Sequence, residues 1–353
     1  MILATDHRWE TLLSAMPLAG ADAEVILHRR RGAATATLRS PDAPPRAFRH
    51  DDGGVRELQP ACDESLPGAD LVRDAGLLAP LVGEIASSRV VAWRPGRRLV
   101  LRVRCRDGVV HWLKLLDRKS FDRATNTFHA IGRSPDPMRL SLPSHLLPEI
   151  CGYLTNSASG EALHDLLAAR SCVPVATLAS SLLALATTEV HGALPTIDFS
   201  SARAAALAAL GHGVQLCPSL ADLEPLLARI TPPPGPQHPG FVHGDLHDKQ
   251  LFLAETSTSL IDLEGAAVGD PRFDLVNLAE HVRLRDLQRG RRDSGLGGEL
   301  LTRCGLDPDA GPTRAFRAVV RARLCGVYAL RPRWHNLVDV LHTETLALLR
   351  DLP

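Results

Sequence analysis

The chain has 353 residues, enough for two domains of ordinary size, each with its own buried core. Hydrophobic residues make up 45% and charged residues 23%, a balance typical of a folded globular protein rather than a disordered or fibrous one. Because 40 basic residues match 40 acidic ones, the overall charge excludes a strong general attraction to nucleic acid or anionic lipid. We therefore expect neither nucleic acid nor a membrane as a partner.

The cysteines and the N-terminal segment indicate the cellular compartment. Seven cysteines are scattered singly, without a CxxC or CxH pair, which favours reduced, mostly buried thiols over disulfides or a zinc site. The first residues lack the basic start, apolar core and cleavage site of a signal peptide. No run approaches the roughly 18 apolar residues that a membrane helix requires. These features predict a cytoplasmic protein.

The first third of the chain has the pattern of strands and turns. Four short runs, AEVILHRRR, ATATLRS, PRAFRH and VRELQ, are separated by turn residues such as SPDAPP and DDGG, which predicts an antiparallel sheet. A helix is predicted at about residues 70–83. Two strand candidates follow, RVVAWRPGRRLVLRVRC and VVHWLKLL, and the Asp107-Gly108 pair between them suits a tight hairpin. We interpret residues 1–150 as a β-rich domain.

The pattern changes to helical spacing after Lys119, and the proline-rich stretch SPDPMRLSLPSHLLPEI is interpreted as a crossing between domains. From about Gly152 onward, segments such as VATLASSLLALATTEVHGAL, FDLVNLAEHVRLRDLQRG and TRAFRAVVRARLCGVYALR carry apolar residues three and four apart. A short β-hairpin is predicted around residues 241–263. The predicted class is α+β, with an N-terminal antiparallel sheet and a larger, mainly helical domain over residues 151–353.

The polar residues of the hairpin region form the strongest functional pattern. FVHGDLHDKQLFL is followed by LIDLEGAAVGDPRFDL, so two apolar strand fragments flank one polar loop and deliver a second polar cluster. Asp245, Gln250 and Asp262 can therefore converge at one end of the hairpin. A carboxylate can deprotonate an acceptor hydroxyl, and hard oxygen atoms suit Mg²⁺. The pattern predicts phosphoryl transfer, with Asp245 as base and Gln250 and Asp262 as metal ligands.

Lys114 supplies the cation that nucleotide phosphates require. It lies within the apolar strand VVHWLKLL, where a buried ammonium group needs an anionic partner, and a phosphate would be that partner. Arg97 and Arg98 are further candidate phosphate contacts, although arginines of this kind are more often a solvated strand face. The alternative interpretation of Lys114 is a lysine that reaches out from an edge strand.

HGDLHDKQ and LIDLEGAAVGDPRFDL resemble the catalytic and metal-binding loops of the aminoglycoside phosphotransferase and choline kinase superfamily, which has a two-lobed protein-kinase-like fold. The family pattern is HGDxxxxN, then IDxE or IDxD, then GDPxxDL. The resemblance implies that Asp245 is catalytic. It also implies that Gln250 and Asp262 hold Mg²⁺ and that Glu264 assists the second metal ion. ATP, or GTP, is the implied phosphate donor, and the β-rich lobe of residues 1–150 is expected to clamp this nucleotide.

Other residues take their roles from the same resemblance. Lys114 is similar to the family's nucleotide lysine. Supporting roles are implied for His243, Asp270 and Asp274. Within the catalytic loop, we predict that His247 lies near the acceptor, and Lys249 is a candidate contact for the transferring phosphate.

The chain departs from the family pattern at three places. Gln250 replaces the usual asparagine, WRPGRRLVLRV stands where a glycine-rich phosphate loop is expected, and the helix SFDRATNTFHAIGR offers no glutamate to Lys114. Asp117 and Asp122 are the carboxylates that could substitute for that glutamate. The resemblance covers roughly residues 90–285, so residues 1–75 are an extension without a family counterpart.

The main hypothesis is an ATP-dependent phosphotransferase that acts on a hydroxyl of a small polar metabolite or antibiotic. A variant has the serine or threonine of a precursor peptide as acceptor, with residues 1–75 as a docking surface. A second class is a nucleotide-binding pseudokinase that serves as a scaffold, which the missing glycine loop and glutamate motivate. A metallohydrolase cluster of the form HxDxHD is a weaker alternative, since it leaves IDLEG and GDPRFDL without a purpose.

Overall fold

A computed structural model of the chain describes residues 7–16, 23–30, 33–236, 239–291, 293–350 and 352. The helices are α1 (His7–Ala15), α2 (Ala79–Val82), α3 (Arg118–Ala130), α4 (Leu163–Ala169), α5 (Val175–Ala186), α6 (Phe199–Gly213), α7 (Leu223–Arg229), α8 (Arg272–Gln288), α9 (Leu296–Arg303), α10 (Gly311–Ala329) and α11 (His335–Arg350). The strands are β1 (Glu24–Arg30), β2 (Ala33–Arg39), β3 (Arg46–Asp51), β4 (Gly54–Leu58), β5 (Ile85–Arg94), β6 (Arg98–Cys105), β7 (Val110–Leu116), β8 (Met138–Leu140), β9 (His145–Leu147), β10 (Gly152–Asn156), β11 (Glu161–Ala162), β12 (Thr196–Ile197), β13 (Gly240–Val242), β14 (Leu251–Leu253), β15 (Thr258–Leu260) and β16 (Ala267–Gly269).

The chain divides into two compact units. Unit 1 comprises Met1–Thr125, Leu142–Ser157 and Leu330–Arg333. Unit 2 comprises Asn126–Ser141, Ala158–Ala329 and Trp334–Pro353. Unit 1 holds two wholly antiparallel sheets and unit 2 holds most of the helices, so the predicted α+β class is confirmed. The assignment of residues 1–150 to nucleotide clamping stays a prediction.

Two antiparallel sheets make up most of unit 1. The first runs in the order β1-β2-β3-β4, which confirms the four strands predicted from the N-terminal runs. Helix α1 packs against β2 and β3 and buries Trp9 and Leu12. The second sheet has the order β5-β6-β7-β10-β9. Its core side chains include Trp93, Leu99 and Leu113, all nearly inaccessible to solvent.

The prediction of a single helix at about residues 70–83 is wrong. Two 3₁₀ segments, Ala69–Val72 and Ala75–Leu78, precede the short α2. Asp74 caps the second of them by accepting from the N–H of Gly76. Pro80, in the first turn of α2, has no N–H to donate to the preceding turn. The segment therefore folds as separate turns.

The run RVVAWRPGRRLVLRVRC forms two strands, β5 and β6, where the sequence analysis predicted one. The chain reverses at Pro95-Gly96-Arg97, where Gly96 has a φ of 65° that glycine adopts without strain. Hydrogen bonds from the Trp93 Nε1 and from the Gly96 N–H to Asp63 Oδ2, at 3.0 and 2.6 Å, hold this turn. The hairpin predicted at Asp107-Gly108 is confirmed between β6 and β7.

Residues 152–156, which we placed at the start of the helical region, form a strand instead. This strand, β10, pairs with β7 on one side and β9 on the other. The lysine of β7 therefore sits on an internal strand, with Tyr153 of β10 directly opposite Lys114. The alternative of an edge-strand lysine is wrong, because the sheet continues on both sides of β7.

Unit 2 contains two small sheets beside its helices. One has the order β11-β14-β15-β8 and the other β12-β16-β13. The predicted hairpin is confirmed as β14 and β15, but β13 pairs antiparallel with β16 and lies outside that hairpin. The carboxyl ends of β13 and β15 lead directly into the two polar segments that the sequence singled out.

The helical core of unit 2 centres on α6 and α10, together with α8 and α11. Phe199 of α6 meets Phe316 of α10 edge to face, with 5.2 Å between ring centroids. The two helices approach closely at Gly213 and Gly326, where a methyl group has no room. No helix in the described ranges is both long enough and apolar enough to cross a lipid bilayer.

The α6–α10 contact predicts the effect of Gly326→Ala. A Cβ atom there would lie 2.3 Å from the carbonyl carbon of Ala209, a backbone atom that cannot rotate away. We expect the substitution to lower the free energy of unfolding by about 1–3 kcal/mol, measured by urea denaturation. Gly298→Ala in α9 is the control, because its Cβ meets nothing within 4 Å; it should raise stability by about 0.5–1 kcal/mol. Equal gains in both variants would contradict the close approach.

Candidate functional site

The loop between β13 and β14, residues 243–250, begins with a turn that only glycine fits. Gly244 has a φ of 84°, and a Cβ on it would lie 2.8 Å from the carbonyl oxygen of Gly265 and 2.9 Å from a side-chain carbon of Ile197. Both the backbone conformation and the lack of space therefore require glycine. This turn directs the next residue, Asp245, out of the strand.

The imidazole of His243 holds the loop by two hydrogen bonds to backbone groups. Its Nε2 lies 2.9 Å from the carbonyl oxygen of Ile261, and its Nδ1 lies 3.3 Å from the N–H of Asp245. A neutral imidazole with the proton on Nε2 donates the first bond and accepts the second. The side chain is almost fully buried. His243 thus links the loop to the end of β15.

Helix α8 fixes the same loop from its first two turns. The buried carboxylate of Asp274 accepts the backbone N–H groups of His243 and Gly244. Burial raises the pKa of Asp274, and the nearby His243 and the two N–H donors oppose that shift. One turn later, the amide of the fully buried Asn277 donates to the carbonyl oxygen of Leu246 at 2.7 Å. Helix α8 therefore holds the loop backbone at three residues, His243, Gly244 and Leu246.

Asp248 forms a buried ion pair that ties the loop to two helices. Arg285 of α8 donates to both carboxylate oxygens, at 2.7 and 3.1 Å, and His164 of α4 contacts Oδ2 at 2.6 Å. Burial alone would raise the pKa of Asp248, but the hydrogen bond from His164 and the charge of Arg285 hold it far below its ordinary value. Since Asp248 is inaccessible to solvent, this pair serves structure.

Asp245 is the carboxylate of the loop that reaches solvent. Its side chain is 50% exposed, and Arg323 of α10, 27% exposed, donates from Nη2 to Oδ1 at 2.7 Å. Burial acts to raise the pKa of Asp245, but the charge of Arg323 and its hydrogen bond outweigh that effect and lower it. Asp245 is therefore an ionised carboxylate at neutral pH.

The hairpin of β14 and β15 places Gln250 and Asp262 at the same end. Leu251 pairs with Leu260, and the N–H of Ile261 donates to the carbonyl oxygen of Gln250, so the pairing extends one residue towards both side chains. Asp262 adopts a left-handed backbone with a φ of 64°, and Glu264 follows within a single 3₁₀ turn. The Gln250 Oε1 accepts the N–H of His247 at 3.0 Å.

His247 and His281 stack at the inner side of the loop. Their ring centroids lie 5.1 Å apart, and burial lowers the pKa of both rings, that of His281 to about 3. Both imidazoles are therefore neutral at physiological pH. The Nδ1 of His247 accepts the backbone N–H of Lys249 at 3.2 Å. This bond orders the loop around the two residues predicted to face the acceptor or the phosphate.

Asp270 supports the start of α8. Its buried carboxylate accepts from the backbone N–H and from the guanidinium of Arg272, with both Nε contacts at 2.9 Å. Arg272 also donates to the carbonyl oxygen of Pro234 and lies over the ring of Phe316 at 5.4 Å. These contacts hold the first turn of α8, from which Asp274 reaches the loop.

The predicted phosphate-binding residues lie in unit 1. Lys114 is 6% exposed, and its Nζ lies 5.8 Å from the ring centroid of Tyr153. Arg97 and Arg98 are exposed at the turn between β5 and β6. Asp117 accepts from the N–H and the hydroxyl of Ser120 and so caps α3. Asp122 is exposed.

The structure thus brings together Asp245, Gln250 and Asp262 with the supporting residues around one loop and one hairpin end of unit 2. Among the described residues, no three His, Cys, Asp or Glu side chains form a metal cluster. The HxDxHD alternative also conflicts with the contacts, because His243 is committed to the loop backbone and Asp248 to Arg285. All seven cysteines are free thiols, and five of them are buried.

Sequence reasoning missed five residues of this site: His164, Asn277, His281, Arg285 and Arg323. A signal for three of them was present in the helix FDLVNLAEHVRLRDLQ. Its polar residues Asp274, Asn277, His281 and Arg285 recur three and four positions apart, which places them on one face. All four are buried, so α8 directs a polar face at the loop. His164 and Arg323 carried no such signal.

Comparisons with known proteins show what this chain is similar to. The model of a family described as "Phosphotransferase enzyme family" matches residues 154–309, a stretch that contains HGDLHDKQ and LIDLEGAAVGDPRFDL. Residues 154–309 are therefore similar to this phosphotransferase family. The resemblance drawn from the two motifs is confirmed, and with it the assignment to phosphotransferases. The sequence matches no curated protein.

Three solved structures align with most of this chain. A thermostable mutant of aminoglycoside phosphotransferase APH(4)-Ia aligns with a TM-score of 0.50 and 14% identity, over 78% of this chain and 98% of that one. Choline kinase LicA from Streptococcus pneumoniae aligns with a TM-score of 0.49 and 11% identity, over 80% and 98%. Macrolide 2'-phosphotransferase MphH from Brachybacterium faecium aligns with a TM-score of 0.46 and 18% identity, over 79% and 99%.

The buried His281 predicts a pH dependence of stability. The unfolded chain titrates this histidine near its ordinary value of about 6.5, whereas the folded protein lowers its pKa to about 3. Between these values the unfolded state binds more protons, so the free energy of unfolding falls as the pH drops below about 6.5.

His281→Gln should reduce this slope by about 1.4 kcal/mol per pH unit between about pH 4 and 6, as measured by urea denaturation. His212→Gln, at an exposed position of α6, is the matched control and should leave the slope unchanged. An unaltered slope in His281→Gln would show that this ring is not buried as a neutral group.

Proposed function

We propose that this phosphotransferase transfers the γ-phosphate of ATP to a hydroxyl of a small polar molecule, with Asp245 as catalytic base. The observation that carries the proposal is the environment of Asp245. It is the half-exposed carboxylate of a loop whose backbone is anchored at three residues by Asp274 and Asn277. A base held so rigidly at the surface can orient an incoming hydroxyl without reorganisation.

The chemical step follows from this placement. The acceptor hydroxyl donates its hydrogen bond to Asp245, with Oδ2 facing the acceptor while Arg323 occupies Oδ1. As the acceptor oxygen bonds to the γ-phosphorus, the bond from that phosphorus to the β,γ-bridging oxygen breaks, and ADP leaves. The hydroxyl proton passes to the Asp245 carboxylate. His243 and Asp274 keep the carboxylate in place and take no proton.

Gln250, Asp262 and Glu264 fit a site for Mg²⁺. They offer an amide and two carboxylate groups, all hard oxygen donors, near one end of the β14–β15 hairpin. The left-handed backbone at Asp262 is a conformation that costs energy for most residues and often marks a functional position. When bound, Mg²⁺ neutralises phosphate charge. Although the Gln250 Oε1 accepts one N–H, its second lone pair can serve a metal.

We assign Lys114 as the cation that binds the nucleotide phosphates. Lys114 is nearly buried on the internal strand β7, and it is similar to the nucleotide lysine of the family pattern. Arg97 and Arg98, exposed in the turn where a glycine-rich loop is expected, are candidate contacts for the outer phosphates. GTP is the alternative donor, and a direct comparison of the two nucleotides distinguishes them.

His247 and Lys249 complete the acceptor side of the loop. His247 is neutral because burial lowers its pKa, so it can donate or accept one hydrogen bond without adding charge. Lys249 follows two residues later and offers a cation to the transferring phosphate. A peptide serine or threonine can present the same hydroxyl, so a peptide belongs in any panel of acceptors.

Asp245→Asn tests the catalytic role. The amide cannot accept the hydroxyl proton as a carboxylate does, so we expect the turnover number to fall about 10²- to 10⁴-fold while nucleotide binding persists. ADP release across a library of hydroxylated acceptors measures the effect. Asp309→Asn, at an exposed position, is the control. Equal turnover by Asp245→Asn would refute the assignment, and metal-dependent nucleotide binding without any turnover in the wild type would support a scaffold instead.

Asp262→Asn tests the metal site by a measurement that does not require turnover. Removing one charged oxygen ligand should weaken Mg²⁺-dependent binding of ATP at least about tenfold, because the ion loses its strongest donor. Titration calorimetry with ATP, with and without Mg²⁺, measures this directly. Asp245→Asn serves as the comparison and should bind Mg²⁺–ATP as the wild type does. If both variants bind alike, Asp262 is not a metal ligand.

A further inference from the structure

Helix α10 brings an unusual charge balance to the candidate site. It contains four arginines, at positions 314, 317, 321 and 323, and no aspartate, glutamate or lysine. Two of them have a structural purpose: Arg317 and Arg321 bind the buried carboxylate of Glu280 at 2.8 and 2.6 Å. Arg323 lies about 200° further round the helix than Arg321, so it faces another side. That side is where Asp245 lies.

Three of the acids near the loop are paired with arginines. Asp248 forms an ion pair with Arg285, and Asp245 forms one with Arg323. Glu280 pairs with both Arg317 and Arg321. A cationic acceptor would have to approach the base against the positive charge of Arg323. An anionic acceptor instead meets a guanidinium that is already oriented beside the base.

The exposure of the two partners makes this contact accessible. Asp245 is half-exposed and Arg323 about one quarter exposed, so each presents part of its side chain to solvent. Arg323 uses Nη2 for Asp245, and a guanidinium carries five N–H donors in a fork that matches carboxylate and phosphate oxygens. One side chain can therefore hold the carboxylate of the base and an anion of the acceptor together.

We propose that the acceptor of this enzyme carries a carboxylate or phosphate group close to its reactive hydroxyl, and that Arg323 binds this group beside Asp245. The inference rests on the proposed phosphotransferase function, which it refines by the charge of the substrate. Arg323 is thereby the residue that determines acceptor charge. The reaction joins a second anionic group, the transferred phosphate, to an acceptor that already bears one.

A set of four three-carbon acceptors that share a vicinal diol tests the charge preference. Glycerate carries a carboxylate, glycerol 3-phosphate a phosphate, glycerol no charge, and 3-aminopropane-1,2-diol an ammonium group. Glucuronate, glucose and glucosamine repeat the comparison on a larger scaffold. Binding is measured by calorimetry in the presence of Mg²⁺ and ADP, and phosphate transfer by ADP release with ATP.

The wild type should bind the anionic members roughly ten- to a hundredfold more tightly than the neutral ones, and the ammonium members least, as a charge-assisted contact predicts. Arg323→Gln should remove this preference, Arg323→Lys should retain part of it, and Arg323→Glu should reverse it towards the ammonium members. Arg303→Gln, an exposed arginine of α9 that pairs with Glu299, is the control and should keep the wild-type order. A reversal of charge preference is an outcome that misfolding cannot produce.

Two results overturn the inference. One is binding that does not favour the anionic members, including no binding by any of them. The other is an anionic preference that Arg323→Glu leaves unchanged. Failure of the proposed function is separate, because it requires that Asp245→Asn turn over acceptors as fast as the wild type. If transfer to neutral or cationic acceptors depends on Asp245 but not on Arg323, the function stands and the inference falls.

Discussion

The buried carboxylate of Asp274 is the contact on which the geometry of the candidate site depends. A loop that leaves a strand and turns sharply exposes backbone N–H groups, and these are costly to bury without a partner. Asp274 accepts two of them at the turn that glycine makes possible. The position of Asp245 follows, because the next residue along the chain is the candidate base. Helix α8 therefore positions a residue that it does not contain.

Three further side chains of α8 also hold the loop, each by a different kind of contact. Asn277 binds a carbonyl oxygen, Arg285 compensates a buried carboxylate, and His281 packs a neutral ring against His247. Hydrogen bonds and an ion pair are directional, so they fix orientation where apolar packing would only fix volume. Such a polar face requires that every group find a partner. It also leaves Asp245 as the carboxylate of this loop that remains open to solvent.

Much of the fold and of the loop chemistry could be predicted from sequence because both produce local patterns. Alternating strands, the Asp107-Gly108 turn and the two polar motifs are short and contiguous. The strand at residues 152–156 was missed because its pairing with β7 joins residues about 40 positions apart, which no local period records. Arg323 was missed for the same reason: it meets Asp245 across 78 positions and looks, in sequence, like any other helical arginine.

The contacts of Asp63 show that the folded N-terminal unit begins ahead of the family-like residues. It lies in the segment ahead of the β5–β7 sheet, yet one of its oxygens accepts both Trp93 and the backbone of Gly96 at the turn that replaces a glycine-rich loop. A shortened chain that starts at the first family-like residue loses this carboxylate. The extension is therefore part of the folded sheet. Its removal would leave the Trp93 indole N–H and the Gly96 backbone N–H without their common acceptor.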